Sequence, residues 1–513
     1  MGGSILAMVA RRLGRRVVLL ERGRHPRFAI GESSSPLAGI LIEQLAERYG
    51  LPRLTPLGSY GAWQRTYPEI VCGLKRGFTY FKHEAGRRYA TAPDRSNQLL
   101  VAASPCDELA DTHWLRSDVD AWLVREAVAL GAEYIDECQV EGVDCSDTGV
   151  RVRASRGGRT VAIDAGGLID ASGPRGCLHR ALGLPESGFD GYPATSAFFS
   201  HFEHVARCDA LDDFHLAVPG NANGAPPYPV DDAAVHHVFD GGWMWVLRFG
   251  NGVTSAGVAV EDWLAAELRL ADGAPAWPRL LARFPSLATA FADATPTRRF
   301  NWQPRLAYRA REIVGPRWAL LPSAAAFVDP LFSTGFPLTL LGIERLARLL
   351  ERGLFLDASE GEARAGLGVY ANTTAAEADQ AARFVAGCYA SFGRFDAFAA
   401  YSMFYFTAAS FAEASRRLTP DGTGIGFLGT ADPAFASALA RLSPAVRAPG
   451  SPGCLAREVR EAVETLNVAG LSRPEKANWY GVDNADLLDG APKLGVSESD
   501  VRAMLERLGL ERA

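Results

Sequence analysis

Apolar positions recur along this chain at two periods, and the change of period marks out its elements. Near the start, Leu6, Val9, Ala10 and Leu13 fall at helical spacing, and Gly14 stands where a left-handed residue closes a helix. Val17 to Leu20 is then an unbroken apolar run ending in Glu21, which predicts a buried parallel strand after the helix. Alternation over Leu74-Lys75-Arg76-Gly77-Phe78-Thr79-Tyr80-Phe81 predicts a single strand with Lys75, Gly77, Thr79 and Phe81 on one face. Trp243-Met244-Trp245-Val246-Leu247-Arg248-Phe249 predicts another, with Trp243 and Trp245 side by side. Trp114 to Leu123 begins a helix, Gly167 to Gly173 reads as a strand ending in a small-residue turn, and Leu338 to Leu350 reads as a helix entered from Ser333-Thr334-Gly335. Beyond about residue 360 the pattern is mainly helical, with Phe395, Phe398, Tyr401, Phe404, Tyr405 and Phe411 on one long apolar segment. Val218 to Val230 reads as a surface loop able to serve as a lid, and Arg447 to Gly453 as a linker.

Composition removes several function classes. The 513 residues are 48% hydrophobic and 22% charged, with a net charge of −6 and no long run of like charges, so neither nucleic acid nor an anionic membrane is an evident partner. The apolar stretch Ala397 to Ala412 is shorter than the roughly 18–20 residues of a membrane span and is expected to be a buried helix. Eight scattered cysteines without a C-x-x-C pair fit reduced thiols in a cytoplasmic protein. His201-x-x-His204 and His236-His237 have no acid or cysteine nearby in sequence to complete a ligand set, and no metal site is expected.

The opening helix and strand fit the middle of a Rossmann-type unit. In such a unit the third glycine of G-x-G-x-x-G opens the helix, and an acid about twenty positions on binds a ribose hydroxyl. Gly3 and Glu21 match those places, and with only Met1 and Gly2 ahead of Gly3 the expectation is that the natural start lies roughly ten residues upstream, a strand and its turn. A literal G-x-G-x-x-G at Gly424, Gly426 and Gly429 follows no apolar strand and leads into no helix, so it reads as a loop.

Further segments agree with the first: Ile30-Gly31-Glu32-Ser33-Ser34-Ser35-Pro36, the helix start at Trp114 with Arg116, the turn at Asp170-Ala171-Ser172-Gly173, and Phe327-Val328-Asp329-Pro330-Leu331-Phe332-Ser333-Thr334-Gly335. Together they resemble the FAD-binding domain of the single-component flavoprotein monooxygenase and halogenase superfamily, over most of residues 1 to about 410. Within it, Phe327, Pro330, Ser333 and Gly335 match the F-x-x-P-x-x-S-x-G pattern of flavin-dependent halogenases. The strand around Lys75 is similar to the one carrying their essential lysine, and Trp243-Met244-Trp245 resembles the start of their W-x-W-x-I-P signature, with Leu247 and Arg248 in place of its Ile and Pro. Leu321-Pro322-Ser323-Ala324 stands where most of the superfamily has Gly-Asp-Ala, and Phe332 where tryptophan halogenases have Glu, as in halogenases of phenols and pyrroles.

The resemblance implies an α/β fold: a Rossmann-like FAD-binding domain of the GR2, hydroxybenzoate-hydroxylase-like type without its first strand, a substrate-covering sheet and a helical C-terminal region. The divisions expected are an FAD-binding domain over 1–360 with the sheet at about 185–305, a helical pocket region over 361–445, and a helical extension over 446–513. It implies FADH2- and O2-dependent halogenation of an electron-rich arene, a phenol or pyrrole, free or on a carrier protein, through a flavin hydroperoxide and hypohalous acid. No second nucleotide fold is visible, so a separate flavin reductase is the expected partner, with chloride or bromide as co-substrate. Lys75 and Ser333 are the expected catalytic residues and Thr334 and Gly335 the halide site. Gly3, Glu21, Glu32, Ser33, Pro36, Arg116, Asp170, Gly173, Asp329 and Pro330 would hold the cofactor, and Phe81, Trp243, Trp245, Phe332 and Phe404 would line the substrate pocket. A flavin monooxygenase or dehydrogenase on the same scaffold, or an inactive flavoprotein-like binding protein, stays open as an alternative.

The chemistry fits these residue types. Electrophilic halogen has to be made with an oxidant, which reduced flavin and dioxygen supply. Backbone N–H groups at a helix entry favour an anion. A lysine amine is compact, nucleophilic when neutral and readily shifted by burial.

Overall fold

The helix α1 (Gly2–Arg12) lies where the apolar spacing places it, and Gly14, at φ +77°, closes it from the left-handed region. The computed structural model describes residues 1–215, 225–356, 358–419, 426–446 and 452–510. Gly424, residues 218–224 of the expected lid and residues 447–451 of the expected linker lie outside the described residues. The strand β1 (Val18–Leu20) runs parallel to Glu133–Ile135, as expected of a Rossmann-type unit. It is not the buried strand its composition suggests, since Val18 is 39% exposed. The reason is its place in a two-stranded piece whose partner leaves one face open. A second parallel piece joins Leu168–Asp170 to Trp318–Leu320. Gly3 lies where these pieces meet α1: a methyl group there would stand 3.0 Å from Ala171 Cβ and 3.5 Å from Leu19 Cδ1. Only a residue without a side chain allows that approach.

Behind Ser35 the helix α2 (Pro36–Arg48) begins with proline at its first position, where the missing N–H costs nothing. Next come β2 (Cys72–Lys75), β3 (Gly77–Lys82), β4 (Gln98–Ala102) and β5 (Asp111–Trp114). The single strand expected over residues 74–81 is therefore two. β2 pairs with β5, whereas β3 pairs with β4 and Ala234–Phe239. Arg76 makes the switch: its N–H donates to Asp232 O, and its carbonyl accepts from Ala103 and Ser104. At Gly77 a side chain would strike Val101 O.

β3 and β4 enter a nine-stranded sheet that runs Thr295–Pro296, Thr195–Glu203, Thr254–Glu261, Gly242–Arg248, Ala234–Phe239, β3, β4 and Trp479–Tyr480, with Asn301–Gln303 also paired to Thr195–Glu203. The sheet thus recruits residues on both sides of the expected 185–305 span. Its alternation separates two cores. Phe78, Tyr80, Trp243 and Trp245 join the one shared with the helices, and Phe81, Met244, Val246 and Phe198 join a second beneath Trp277 and Phe291.

The C-terminal region is helical as expected. Glu360–Ser391 starts with a capping box in which Ser359 accepts from Glu362 N–H and Glu362 reaches back to Ser359. Phe395–Leu418 contains the expected buried helix. Among the described residues no helix is long and apolar enough to cross a membrane. All eight cysteines are free.

Candidate active site

Lys75 ends β2 and has no exposed surface. Burying an ammonium is costly unless donors and charge are answered. Lys75 Nζ donates to Ser34 O and to Ser333 Oγ at 3.3 Å, and sits 4.1 Å from the centre of the Phe78 ring. The structure so brings together the two residues expected to be catalytic, 258 positions apart in sequence. Burial pushes the amine below the usual lysine range, and the charge of Asp111 partly opposes it. Beside it, burial and the lysine charge push His113 down to about 3, and burial first of all takes His236 to about 3 as well. Both rings stand neutral near pH 7.

The turn that carries Ser333 is strained. Phe332 (φ +68°) and Ser333 (φ +55°) both adopt left-handed backbone, at a cost of roughly 1–2 kcal/mol each for side chains of this kind. Tyr405 holds it: its hydroxyl donates to Phe332 O at 2.6 Å, and its ring stacks on Phe332 with centroids 4.1 Å apart. Gly335 then opens the helix Gly335–Glu351, entered one turn earlier than the sequence pattern suggests. Among the described residues no side chain caps that helix, its first-turn N–H groups have no intrahelical acceptor, and Gly335 has no atom within 4 Å of the place a Cβ would take. Thr334 and Gly335 therefore present polar N–H groups beside open space, the arrangement an anion needs.

Asp329 fixes the start of this turn from the other side. Its carboxylate accepts from Leu331 N–H (2.9 Å), Trp243 Nε1 (3.2 Å), Tyr389 Oη (2.9 Å) and Tyr192 Oη (3.3 Å). Burial raises its pKa to about 6, against the pull of those four donors. Trp243 and Trp245 do share a face, 5.7 Å apart, and the bond to Asp329 ties that face to the turn through Pro330.

Among the residues expected to hold a cofactor, Arg116 clamps the 30–33 segment. It donates to the carbonyls of Ile30 (2.9 Å) and Gly31 (2.8 Å) while pairing with both carboxylate oxygens of Asp120. Glu32 Oε1 pairs with His201 Nε2 at 2.7 Å, and among the described residues its Oε2 is buried without a partner, as is Ser33 Oγ. Pro36 opens α2, Glu21 accepts from Gly23 N–H, and Asp170 accepts from Ser172 and from Leu178 N–H. Gly173 takes φ +82° beside open space. Gly2, at the start of α1, lies against Thr339 and Ile343 of the helix Gly335–Glu351. Orphaned polar atoms at Glu32 and Ser33, the open Gly173 and the N-terminus of α1 suit a phosphate-bearing, hydrogen-bonding cofactor such as FAD.

Two expected pocket residues are elsewhere. Phe81 faces away from Lys75, packed on Tyr89 and Phe214, because the break at Arg76 reverses which side chains of β3 share its side. Phe404 packs on Tyr401 and Phe435, and its neighbours Tyr405 and Phe406 turn toward Phe332 and Phe78. Helical spacing from Phe398 through Ser402, Tyr405, Ala409 and Glu413 carries that signal. The sequence reading also missed Asp111, Tyr192, Tyr389 and the acid partner of His201, which comes from Glu32, 169 positions away. Ser35, Pro36, Phe78, Tyr405, Phe406 and Glu413 line a cavity at this place.

No family model matches the chain. It is 30% identical over 359 residues to monodechloroaminopyrrolnitrin halogenase PrnC of Pseudomonas fluorescens, an alignment covering 69% of this chain and 60% of the relative. It is also 30% identical over 346 residues to tetracycline 7-halogenase of Kitasatospora aureofaciens, covering 65% and 59%. The chain thus spans about 60% of the length of these curated relatives. In fold it resembles the halogenase PltM solved with phloroglucinol and FAD, with a TM-score of 0.80, 24% identity, and coverage of 93% of this chain and 97% of that one. By sequence and by fold together, the chain is a relative of the flavin-dependent halogenases.

Proposed function

We propose that this chain halogenates an electron-rich arene, using FAD reduced by a separate flavin reductase, dioxygen, and chloride or bromide. The observation that carries the reading is the buried contact of Lys75 Nζ with Ser333 Oγ at the mouth of the Thr334-Gly335 turn. When bound, reduced FAD with dioxygen supplies the oxidising equivalent that converts halide into electrophilic halogen. Gly3, Glu32, Ser33, Arg116 and Gly173 would hold that cofactor, and Thr334 and Gly335 the halide.

Lys75 has three N–H donors, of which two are taken by Ser34 O and Ser333 Oγ. The third is left for the oxygen of hypohalous acid. As the arene carbon takes the halogen and the oxygen–halogen bond breaks, Lys75 gives its proton to the departing hydroxide, which leaves as water, and the proton lost from that ring carbon as aromaticity returns restores the ammonium. Phe332, Tyr405, Phe406 and Phe78 exclude bulk water from this place. A flat aromatic substrate fits such walls, whether free or on a carrier, and the neighbour solved with phloroglucinol takes one. The test is mass spectrometry of products from phenols, pyrroles and carrier-bound acyl groups supplied with reduced FAD, oxygen and bromide. Halogenated product is expected, and hydroxylated product formed without halide would overturn the reading in favour of a monooxygenase.

A further inference from the structure

Lys75 ends a strand that cannot hold it alone. Among the described residues β2 pairs only with β5, apart from the nine-stranded sheet, and β3 enters that sheet directly after Arg76. Where the break at Arg76 falls therefore sets which way the Lys75 amine points, since a shift of one residue exchanges the two faces of a strand. Three backbone bonds fix the break: the Arg76 carbonyl accepts from Ala103 and Ser104, and Arg76 N–H donates to Asp232 O at 2.6 Å. Ala103 and Ser104 follow directly on β4 and are held by the large sheet. Asp232 belongs to no strand or helix, and its neighbour Asp231 anchors it.

The partner of that anchor is Arg248, the last residue of the strand Gly242–Arg248. Its Nε donates to Asp231 Oδ1 at 3.0 Å, its Nη1 to Val205 O at 2.8 Å and its Nη2 to Ala206 O at 2.6 Å. The other Asp231 oxygen accepts from Asp209 N–H at 2.9 Å, and Asp232 pairs with Arg207 at 3.0 Å. The Asp231 carboxylate is buried, so water does not compete for these bonds. Arg248 also reaches β2 from behind. A side chain at Gly73 would strike Arg248 O, and Gly250 N–H donates to Cys72 O at 3.0 Å. The start of β2 is thus backed by the Arg248 segment directly, and its end is held by Arg248 through Asp231 and Asp232. The signature that this strand resembles has proline here, which offers no donor for any of the three side-chain bonds.

We propose that Arg248 is a positioning residue for Lys75: it clamps Asp231 and the 205–206 backbone so that the break at Arg76 directs the amine to Ser333. The position of the amine follows from the geometry, and its catalytic consequence rests on the halogenase reading. Arg248 acts on Lys75 through the backbone and not on the reacting atoms. A guanidinium suits the place because its planar fork reaches one carboxylate and two successive carbonyls at once, which an ammonium with three donors on a single atom does not span. Loosening the clamp takes from hypohalous acid the donor that presents it to the arene, and a misplacement of about 1 Å is enough to cost about 100-fold in rate. The acid then escapes into solvent.

The test reads the amine and the chemistry separately on Arg248→Met, Arg248→Lys and Asp231→Asn, each loaded with FAD. Acetic anhydride labelling followed by peptide mass spectrometry reports access to Lys75, with the partly exposed Lys493 as reference and the buried thiol of Cys388 as the indicator of unfolding. Lys75 labelling should rise about ten-fold in Arg248→Met and Asp231→Asn, and less in Arg248→Lys, while Cys388 stays unreactive. With reduced FAD, oxygen, bromide and phloroglucinol, brominated product per dioxygen consumed should fall about 100-fold in Arg248→Met and about 10-fold in Arg248→Lys, and a 1,3-diketone trap should collect the bromine lost. Lys75 labelling at the wild-type level in a variant with a lowered melting temperature gives Arg248 a structural role alone and overturns the proposal. Raised labelling with unchanged product per dioxygen overturns it too. A wild type that brominates neither phloroglucinol nor the diketone overturns the halogenase reading instead, and the labelling still decides what holds the amine. Arg248→Lys keeps the charge beside Asp231, so the comparison stands even where Arg248→Met does not fold.

Discussion

Two pairs of titratable side chains are buried in this molecule, one where β3 ends in the nine-stranded sheet and one on the separate β2–β5 pair, and they are built differently. On the face away from the helices, His83 Nε2 and His237 Nδ1 meet at 2.9 Å, enclosed by Tyr89, Phe214 and Phe284. On the two-stranded β2–β5 piece, Lys75 and Asp111 are cross-strand neighbours that do not close on each other. Both sites are aromatic and dry, so aromatic content does not separate a core from a reaction site. The difference lies in what is left over. The histidine pair closes on itself and leaves only His83 Nδ1 without a partner among the described residues, whereas Lys75 turns from Asp111 to Ser34 and Ser333, which leaves an N–H of the amine and Oδ2 of the carboxylate for a third group.

That contrast breaks most decisively at Lys75. Replacing it with Ala should cut halogenated product by about 10³-fold while dioxygen still oxidises reduced flavin, a combination read from oxygen uptake beside mass spectrometry. Lys75→Arg should fail as well, because a guanidinium keeps the charge but aims its donors differently and is a poor nucleophile. The corresponding change on the closed face, His237→Leu, should leave product formation per folded molecule alone and cost about 1–3 kcal/mol of stability through the stranded His83.

Acid should expose both faces together. Burial holds His83, His113 and His236 at about 3 and His237 well below its usual value, so the unfolded chain binds protons that the folded chain refuses. This contribution to stability is complete above about pH 6.5 and shrinks as pH falls toward 3, by about 1.4 kcal/mol per pH unit for each histidine. Urea midpoints measured from pH 7.5 to 5 should fall accordingly, and His237→Leu should flatten the slope. A midpoint that did not move below pH 6.5 would mean these rings take up protons in the folded state.

Two smaller effects sharpen the picture on the site face. Tyr405→Phe removes the bond that holds Phe332 O and should cost about 1 kcal/mol with a several-fold loss of halogenation, detectable by thermal melting and product yield. Gly335→Ala meets no atom within 4 Å, so the fold should be unaffected while the methyl group crowds the turn. The expected result is a bromide requirement raised a few-fold at unchanged melting temperature, and an unchanged requirement would assign the turn a structural role alone.

What the sequence determined by itself are the features that depend on neighbours in the chain. The helix closed by Gly14, the parallel run of β1, the shared face of Trp243 and Trp245, and the turn ending at Gly335 all follow from local spacing and glycine stereochemistry. Local alternation failed where a distant group intervened. The strand through Lys75 breaks at Arg76 because Asp232, Ala103 and Ser104 take its backbone groups, and that break moves Phe81 off the site and Phe78 onto it. Phe404 and Tyr405 are adjacent apolar positions on one helix, and only the packing of Phe332 and Phe435 on its two sides decides which of them reaches the turn. Asp111 and the Glu32–His201 pair had no local signal, since each is an ordinary polar residue until β5 or the large sheet brings up its counterpart. Periodicity encodes which side of its own element a residue occupies. Which element lies opposite, and so whether a buried charge finds its partner or waits for a ligand, is decided by the tertiary contacts.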